Sequence, residues 1–291
     1  MTAQTRTLET PDVDLVYEVR PPVRDAGHPL LLMAGHPMDA RGFDTLASYF
    51  SDRTVVSYDP RGLGRSTRKD GREERTPEMH AADLHALVAE LGSGPVDVFA
   101  SSGGAVNALA LVAAHPDDVG TLVAHEPPLL TSLPDADQAL AAERAVQAAY
   151  HERGFGPGMA AFIALTSWTG EFTADYLSRP TPDPAQFGMP TEDDGRRDDA
   201  LLSGTGNAIT SYRPDVEALR SASTRVVVAV GVESREVLTG RVAPLLAEAL
   251  SRPVTEFPSH HGGFLGGEHG YSGQPEAFAA RLHEVLDDGV E

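Results

Sequence analysis

Cysteine is absent from the 291 residues of this sequence. Its absence excludes disulfide bonds, thiolate metal sites and a cysteine nucleophile. Long apolar runs are lacking too: VVVAVGV at 226–232 is the length of a strand, far short of the roughly 20 residues that cross a bilayer. Basic residues are few, with 23 Lys and Arg against 43 Asp and Glu and a formal net charge of −20. Phosphates bind Lys- and Arg-rich surfaces, so we expect neither nucleic acid nor a membrane as a partner.

The beginning of the chain, MTAQTRTLETPD, has neither a basic start nor an apolar core. We therefore expect no signal peptide and a cytoplasmic location. The length fits one large α/β domain with an insertion, and it is enough to bury a substantial core. Any chemistry must come from serine, histidine and carboxylate side chains, and we expect a small-molecule substrate. The sequence does not indicate an oligomeric state.

Short apolar runs alternate with helical patterns along most of the chain. The predicted strands are 12–20, 28–35, 54–59, 96–100, 119–125, 225–231 and 253–257, and the predicted helices are 76–92, 103–114, 237–250 and 275–287. Thr76 can cap the first of these helices, Pro77 suits its first position and Gly92 can end it. Such alternation predicts an α/β fold with a mostly parallel sheet of about eight strands and helices on both faces.

The interval 133–221 interrupts this alternation. It holds two helical patterns, 136–150 and 158–167, followed by a Pro- and Asp-rich passage with little periodicity. We interpret it as a mostly helical cap inserted into a core domain formed by 1–132 and 222–291.

Four stretches carry the functional signal. VDVFASSGGAVNALALVAAHP (96–116) passes from strand to helix through two serines and two glycines, and AGHPMD (34–39), DPRGLGRS (59–66) and FPSHHGGF (257–264) each follow a predicted strand. In this order they closely resemble the nucleophile turn, the oxyanion turn, the loop after the fourth strand and the general-base loop of the α/β-hydrolase family. The resemblance implies that family's fold and serine-hydrolase chemistry, with no cofactor and no metal.

The same resemblance selects the nucleophile. In the family's turn, the residues two before and two after the nucleophile must be small. Ala100 and Gly104 meet this condition around Ser102, whereas Phe99 would collide if Ser101 were the nucleophile. Ser102 is therefore the expected nucleophile.

The oxyanion of such a reaction needs two hydrogen-bond donors. The resemblance assigns this role to the backbone amides of Gly103, at the start of the helix, and His36, after the third strand. Ala34 stands where the family's turn usually has histidine.

Two adjacent histidines compete for the role of general base. The family often has Pro-Gly-x-His before its base, which favours His261, directly ahead of Gly262, over His260. Together with Glu268 and His269 these histidines lack the His-Glu-x-x-His spacing of a zinc site, so no metal is expected.

The acid that would orient the base has two candidates. Glu126 follows the sixth strand, where some members of the family carry their acid, and Glu233 lies one residue before the usual position. We favour Glu126 and keep Glu233 as the alternative; either carboxylate could accept the imidazole Nδ1–H.

The expected reaction is hydrolysis of a carboxylic ester or lactone of a small, fairly hydrophobic substrate through an acyl-enzyme on Ser102. Within the predicted cap, Phe162, Trp168 and Phe172 are the candidate substrate contacts. The same triad would also support C–C bond hydrolysis, amide hydrolysis or perhydrolysis. A non-catalytic member of the fold that binds a small molecule is the alternative from another class.

Overall fold

The computed structural model describes residues 3–288, and within them a single nine-stranded sheet forms the centre of the molecule. The strands are β1 (Gln4–Glu9), β2 (Val13–Arg20), β3 (Leu31–Ala34), β4 (Val55–Tyr58), β5 (Thr67–Arg68), β6 (Val96–Ser101), β7 (Val119–His125), β8 (Arg225–Gly231) and β9 (Val254–Phe257). Their order is β1-β2-β4-β3-β6-β7-β8-β9, with β5 paired to β2. From β4 to β9 along this order all neighbours are parallel, whereas the pairings of β2 are antiparallel. The expected mostly parallel sheet is confirmed.

Strand β1 is an element that the sequence analysis does not predict. All but one of its six residues are exposed, and its neighbour in the sheet is the antiparallel β2. An edge strand with no buried face has no reason to alternate apolar and polar residues, so QTRTLE carries no period-two signal.

Ten helices accompany the sheet within the described residues. They are α1 (Asp44–Ser48), α2 (Pro77–Leu91), α3 (Gly103–Ala114), α4 (Ala136–Arg153), α5 (Phe155–Thr166), α6 (Ala174–Leu177), α7 (Asn207–Thr210), α8 (Val216–Ser221), α9 (Leu238–Leu250) and α10 (Pro275–Asp287). Helix α2 begins and ends as expected: the Thr76 side chain accepts a hydrogen bond from the Met79 amide, and Gly92 ends the helix in the left-handed conformation with φ 61°.

Side chains alternate between the two faces of the sheet and build a core on each. In β3, Leu32 and Ala34 belong to the core that α2, α3 and α9 cover, whereas Leu31 and Met33 belong to the core under α1 and α10. All four residues of β3 are buried because helices cover both faces, which explains the unbroken apolar run in the sequence.

Residues 126–224, which we call the helical segment, connect β7 to β8 and contain α4 to α8. Helix α4 packs along α5. The start of α4 is tied to α9 by a buried ion pair between Asp135 and Arg241, and Asp135 also accepts a hydrogen bond from the Phe172 amide. None of the helices in the described part of the chain is long and apolar enough to cross a bilayer.

Candidate active site

Ser102 lies at the junction of β6 and α3 in a backbone conformation that residues other than glycine rarely adopt. Its φ is 57° and its ψ is −133°, and its amide donates to the carbonyl oxygen of His125 at 3.0 Å. The turn leaves no room beside it: a Cβ on Gly104 would lie 2.4 Å from the carbonyl oxygen of Ala34. Such strained positions cost free energy and persist only where the surrounding structure imposes them, and they concentrate at functional sites.

The neighbouring Ser101 has a different environment. It is buried, and its hydroxyl lies 3.2 Å from Nδ1 of the fully buried His125. Burial lowers the pKa of His125 to about 4, so this imidazole is neutral at pH 7. Ser101 is thus buried with its hydroxyl beside His125, whereas Ser102 is half-buried.

A histidine and a carboxylate from distant parts of the chain meet at the carboxyl ends of the strands. Nδ1 of His261 lies 2.7 Å from Oε2 of Glu126, although 135 residues separate them in sequence. His261 is partly exposed and Glu126 is fully buried. A hydrogen bond on Nδ1 fixes the ring orientation and leaves Nε2 for a second partner. No described residue is hydrogen-bonded to that Nε2.

Further contacts hold the carboxylate of Glu126 in place. The hydroxyl of Thr239, on α9, donates to Oε2 at 2.7 Å, and the amide of Gly231 donates to Oε1 at 2.9 Å. Burial alone would raise the pKa of Glu126, but electrostatic attraction to His261 and its hydrogen bond, followed by attraction to His125 and the hydrogen bond of Thr239, hold the pKa well below its usual range. The carboxylate is therefore ionised at neutral pH and acts only as an acceptor.

Glu126 itself has a left-handed backbone, with φ 48°. Its amide donates to the carbonyl oxygen of Ala229 in β8. Two non-glycine residues with strained backbones, Ser102 and Glu126, thus follow the neighbouring strands β6 and β7.

The two alternative residues from the sequence analysis lie apart from this contact. Nδ1 of His260 accepts a hydrogen bond from the amide of Gly262, so the ring turns back on its own loop. Glu233 is exposed, and its hydrogen bond, at 3.5 Å, comes from the side chain of Gln274. The structure brings together Glu126 and His261, and not Glu233 and His261.

The two residues whose amides the sequence analysis selects as oxyanion donors are neighbours in space. A Cβ on Gly103 would lie 3.0 Å from the carbonyl oxygen and 3.2 Å from Nδ1 of His36. Gly103 opens α3, where amides have no acceptor within the helix, and the amide of His36 donates to no other described residue. Burial, assisted by the charge of Arg75, lowers the pKa of the His36 side chain to about 3.

A cavity of about 690 Å³ connects these residues. Ser102, Gly103 and His36 line it together with His260 and His261, and residues of α4, α5, α7 and α9 complete its wall. This volume fits a small organic molecule. Most of the lining is apolar, and the nucleophile candidate, the histidine and the two residues that would supply the oxyanion amides line the same cavity.

Comparison with known proteins shows the family to which the chain belongs. The family model of the alpha/beta hydrolase fold matches residues 28–155. An uncharacterised hydrolase of Bacillus subtilis (strain 168), YraK, is 31% identical over 292 residues, which cover 99% of this chain and 97% of the relative. The chain belongs to the α/β-hydrolase family.

Solved structures share the hydrolase's architecture over nearly its whole length. They include a thermophilic esterase from Thermogutta terrifontis (TM-score 0.65, 20% identity, 100% of both chains) and an esterase from Exiguobacterium antarcticum (TM-score 0.65, 16% identity, 94% and 96% of the two chains). A proline iminopeptidase from Mycobacterium smegmatis is also similar (TM-score 0.59, 18% identity, 98% of both chains). At these identities the similarity establishes the fold and not the substrate.

The three aromatic residues expected to contact substrate in this hydrolase are divided between two environments. Phe162 lines the cavity, but Trp168 and Phe172 are not among its lining residues. Both pack on Tyr176, and the Trp168 ring also stacks with the guanidinium group of Arg179. Apolar side chains at helical spacing look alike in sequence whether they face a core or a cavity, which explains the difference.

Two residues of the hydrolase's site had no clear signal in the sequence. Thr239 holds the carboxylate of Glu126 from the second residue of α9, and no motif surrounds it. His125 holds Ser101, and its ring lies 5.9 Å from that of His261, centre to centre. In the sequence, the position of His125 directly before the candidate acid Glu126 was the one indication that it lies near the site.

One histidine–carboxylate cluster lies outside the cavity. His85, His115 and Asp118 bring their ligand atoms within 4.8 Å of one another, while His260, His261, Glu268 and His269 form no such group in the described residues. The rings of His85 and His115 are stacked at 3.8 Å with an angle of 8° between their planes. In-plane lone pairs of parallel rings do not converge on one point, so we assign no metal to this cluster.

Proposed function

We propose that this protein is a serine hydrolase that cleaves a carboxylic ester or lactone of a small, fairly hydrophobic substrate. The proposal rests above all on the hydrogen bond between His261 and Glu126, beside the strained turn that carries Ser102. An imidazole oriented by a buried carboxylate is the group that makes a serine hydroxyl nucleophilic.

In the proposed mechanism, Nε2 of His261 removes the proton of the Ser102 hydroxyl as the oxygen attacks the substrate carbonyl. The amides of Gly103 and His36 bind the resulting oxyanion, and each such donor is typically worth about 10²–10³ in rate. His261 then protonates the leaving alkoxide, and the acyl group stays on Ser102. A water molecule, deprotonated by His261, releases the acid and restores the serine.

The ionised Glu126 has a defined part in this cycle. It accepts the Nδ1–H of His261, which selects the tautomer with Nε2 unprotonated, and it stabilises the imidazolium that forms during attack. Its depressed pKa keeps it charged while His261 takes up the proton.

We further propose that the helical segment acts as the cap over this site. Its helices α4, α5 and α7 contribute lining residues to the cavity that contains Ser102. The apolar side chains among them, including Phe162, Ile163 and Leu165, favour a hydrophobic acyl or alcohol group. Esterases among the structures with the same fold agree with this choice of reaction.

A fluorophosphonate probe tests the proposal without assuming a substrate. We expect one covalent adduct by intact-mass measurement, mapped to the peptide containing Ser102. Ser102→Ala should abolish the adduct, and the matched control Ser101→Ala should retain it. His261→Ala should slow labelling by orders of magnitude.

The opposite results are equally informative. A folded protein that forms no adduct, or that keeps the adduct after Ser102→Ala, would refute the serine mechanism. If no adduct forms, a binding protein of the same fold, without catalysis, would be the better description; an adduct that persists would point to a different nucleophile.

A further inference from the structure

The charged groups that line the cavity are not balanced in sign. Two carboxylates, Glu143 and Glu233, face it, and within the described chain no Lys or Arg is among its lining residues. The three lining histidines are His36, His260 and His261, the first of which is neutral because burial holds its pKa at about 3. The cavity is thus a poor environment for a negatively charged substrate.

Glu143 is half-buried in the wall that the helical segment provides. It shares one face of α4 with Val146 and Gln147, three and four residues further along, which also line the cavity. Gln147 has a partner of its own, because its side-chain amide and that of Asn207 on α7 hydrogen-bond to each other. The wall therefore presents the carboxylate of Glu143 beside two side-chain amides that already hydrogen-bond to each other.

No cation within the described residues neutralises this carboxylate. Glu143 makes no ion pair there, and the adjacent Arg144 is exposed on the outer side of α4. Burial raises the pKa of Glu143. A hydrogen bond from Thr210 and the charge of Arg144 only partly oppose that effect. A partly desolvated carboxylate with no cation beside it costs free energy, which a bound cation would offset.

We propose that Glu143 is a specificity residue that binds a positively charged, ammonium-type group of the substrate. The inference rests on the proposed ester hydrolysis and narrows its substrate class to esters with an apolar acyl chain that ends in a cation. The apolar lining would accept the chain, and the α4–α7 wall would accept the charge.

Three nitrophenyl esters of equal shape or length test this inference. One carries a terminal trimethylammonium group, the second has a tert-butyl group in its place and the third ends in a carboxylate. For the wild type we expect kcat/KM to be about tenfold or more higher for the cationic ester than for its neutral isostere, and lowest for the anionic ester. Glu143→Gln should bring the ratio of cationic to neutral ester close to one.

The matched control is Glu152→Gln, which removes the same charge from an exposed position on the same helix. It should retain the wild-type ratio, because it changes only the net charge of the protein. A ratio near one in the wild type, a ratio that survives Glu143→Gln, or an equal loss in Glu152→Gln would overturn the assignment.

A binding measurement separates this inference from the catalytic proposal. Calorimetric titration with hexyltrimethylammonium needs no turnover, and we expect saturable binding to the wild type and to Ser102→Ala that Glu143→Gln weakens about tenfold or more. If esters are not hydrolysed but this binding is found, the cation site stands and the catalytic proposal fails. If esters are hydrolysed but the binding is absent or insensitive to Glu143→Gln, the cation site fails alone.

Discussion

The carboxylate of Glu126 receives three hydrogen bonds from three separate parts of the chain: the end of β8, the start of α9 and the loop that carries His261. This arrangement explains why glutamate can take the place of a shorter aspartate. Gly231 donates to Oε1 and Thr239 donates to Oε2, so both oxygens of the longer side chain are held by partners other than His261. The residue depends on its surroundings more than on its own conformational preference, as its positive φ shows.

Replacing Glu126 by glutamine tests the role of its carboxylate. The amide keeps the shape but removes the charge, and its NH2 group can turn toward Nδ1 and select the wrong tautomer of His261. We expect kcat/KM for a nitrophenyl ester to fall about 10³- to 10⁴-fold, with little change in KM.

Glu233→Gln is the companion variant, because it removes a glutamate charge that does not contact His261. It should reduce kcat/KM less than tenfold. If Glu233→Gln causes the larger loss, the assignment of Glu126 as the acid of the triad is wrong.

At the scale of elements, the site depends on how closely α3 approaches β3. The first turn of α3 rests on the carbonyl oxygen of Ala34 and on the Cα of Gly35, with no space for a side chain at Gly104. This contact lies two residues after Ser102, at the turn where the chain leaves β6 and enters α3. The glycine two residues after Ser102 therefore serves the packing of strand and helix.

Gly104→Ala should disrupt that contact. Its methyl group would lie 2.4 Å from a backbone oxygen and 2.7 Å from a backbone carbon, neither of which can move without shifting β3. We expect the free energy of unfolding in urea to fall by about 1–3 kcal/mol or more.

The matched control is Gly120→Ala in β7. There the nearest atom to the new methyl group would be 3.6 Å away, an ordinary contact. Its effect should stay within about 0.5 kcal/mol. Equal effects of the two substitutions would show that close packing at the turn is not what requires glycine.

The elements differ in how far the sequence could predict them. Strands β3, β6 and β8 are buried on both faces, so their apolar runs stand out, and capping residues mark α2. Strand β1 is exposed at an edge and carries no such pattern. Local patterns were sufficient to predict an element wherever burial required apolar side chains at consecutive residues.

For the candidate site too, the sequence could point only to residues that a local motif marks. Motifs singled out Ser102 and His261 as candidates, but the contact that distinguishes Glu126 from Glu233 spans 135 residues, which no local pattern encodes. Thr239 and Glu143 lie on helices whose sequence gives no sign of which face meets the cavity. Positions defined by tertiary contact alone need the structure.

At the scale of the whole molecule, three histidines are buried without full hydrogen bonding. His36, His80 and His125 are almost inaccessible, and at least one ring nitrogen of each has no partner within the described residues. Burial lowers their pKa values: to about 3 for His36, to about 4 for His125 and well below 6.5 for His80. All three are neutral in the folded protein over the whole range in which free histidine titrates.

Because these three histidines stay neutral in the folded protein, we expect the protein to lose stability in mild acid. Below pH 6.5 the unfolded chain binds a proton at each of these histidines and the folded protein does not, so the unfolded state gains stability as the pH falls. Between pH 7.5 and 5.5 each histidine should lower the free energy of unfolding by about 1.4 kcal/mol, and the three together by about 4 kcal/mol. Urea denaturation of the wild type at the two pH values measures this loss.

His80→Phe isolates one of the three contributions. Phenylalanine preserves a ring against His36, whose centre lies 4.8 Å from that of His80, but it cannot take up a proton. Whatever the variant's stability at pH 7.5, its loss on going to pH 5.5 should be about 1.4 kcal/mol smaller than that of the wild type. An unchanged loss would mean that His80 takes up its proton in the folded protein as readily as in the unfolded chain and contributes nothing to the acid sensitivity.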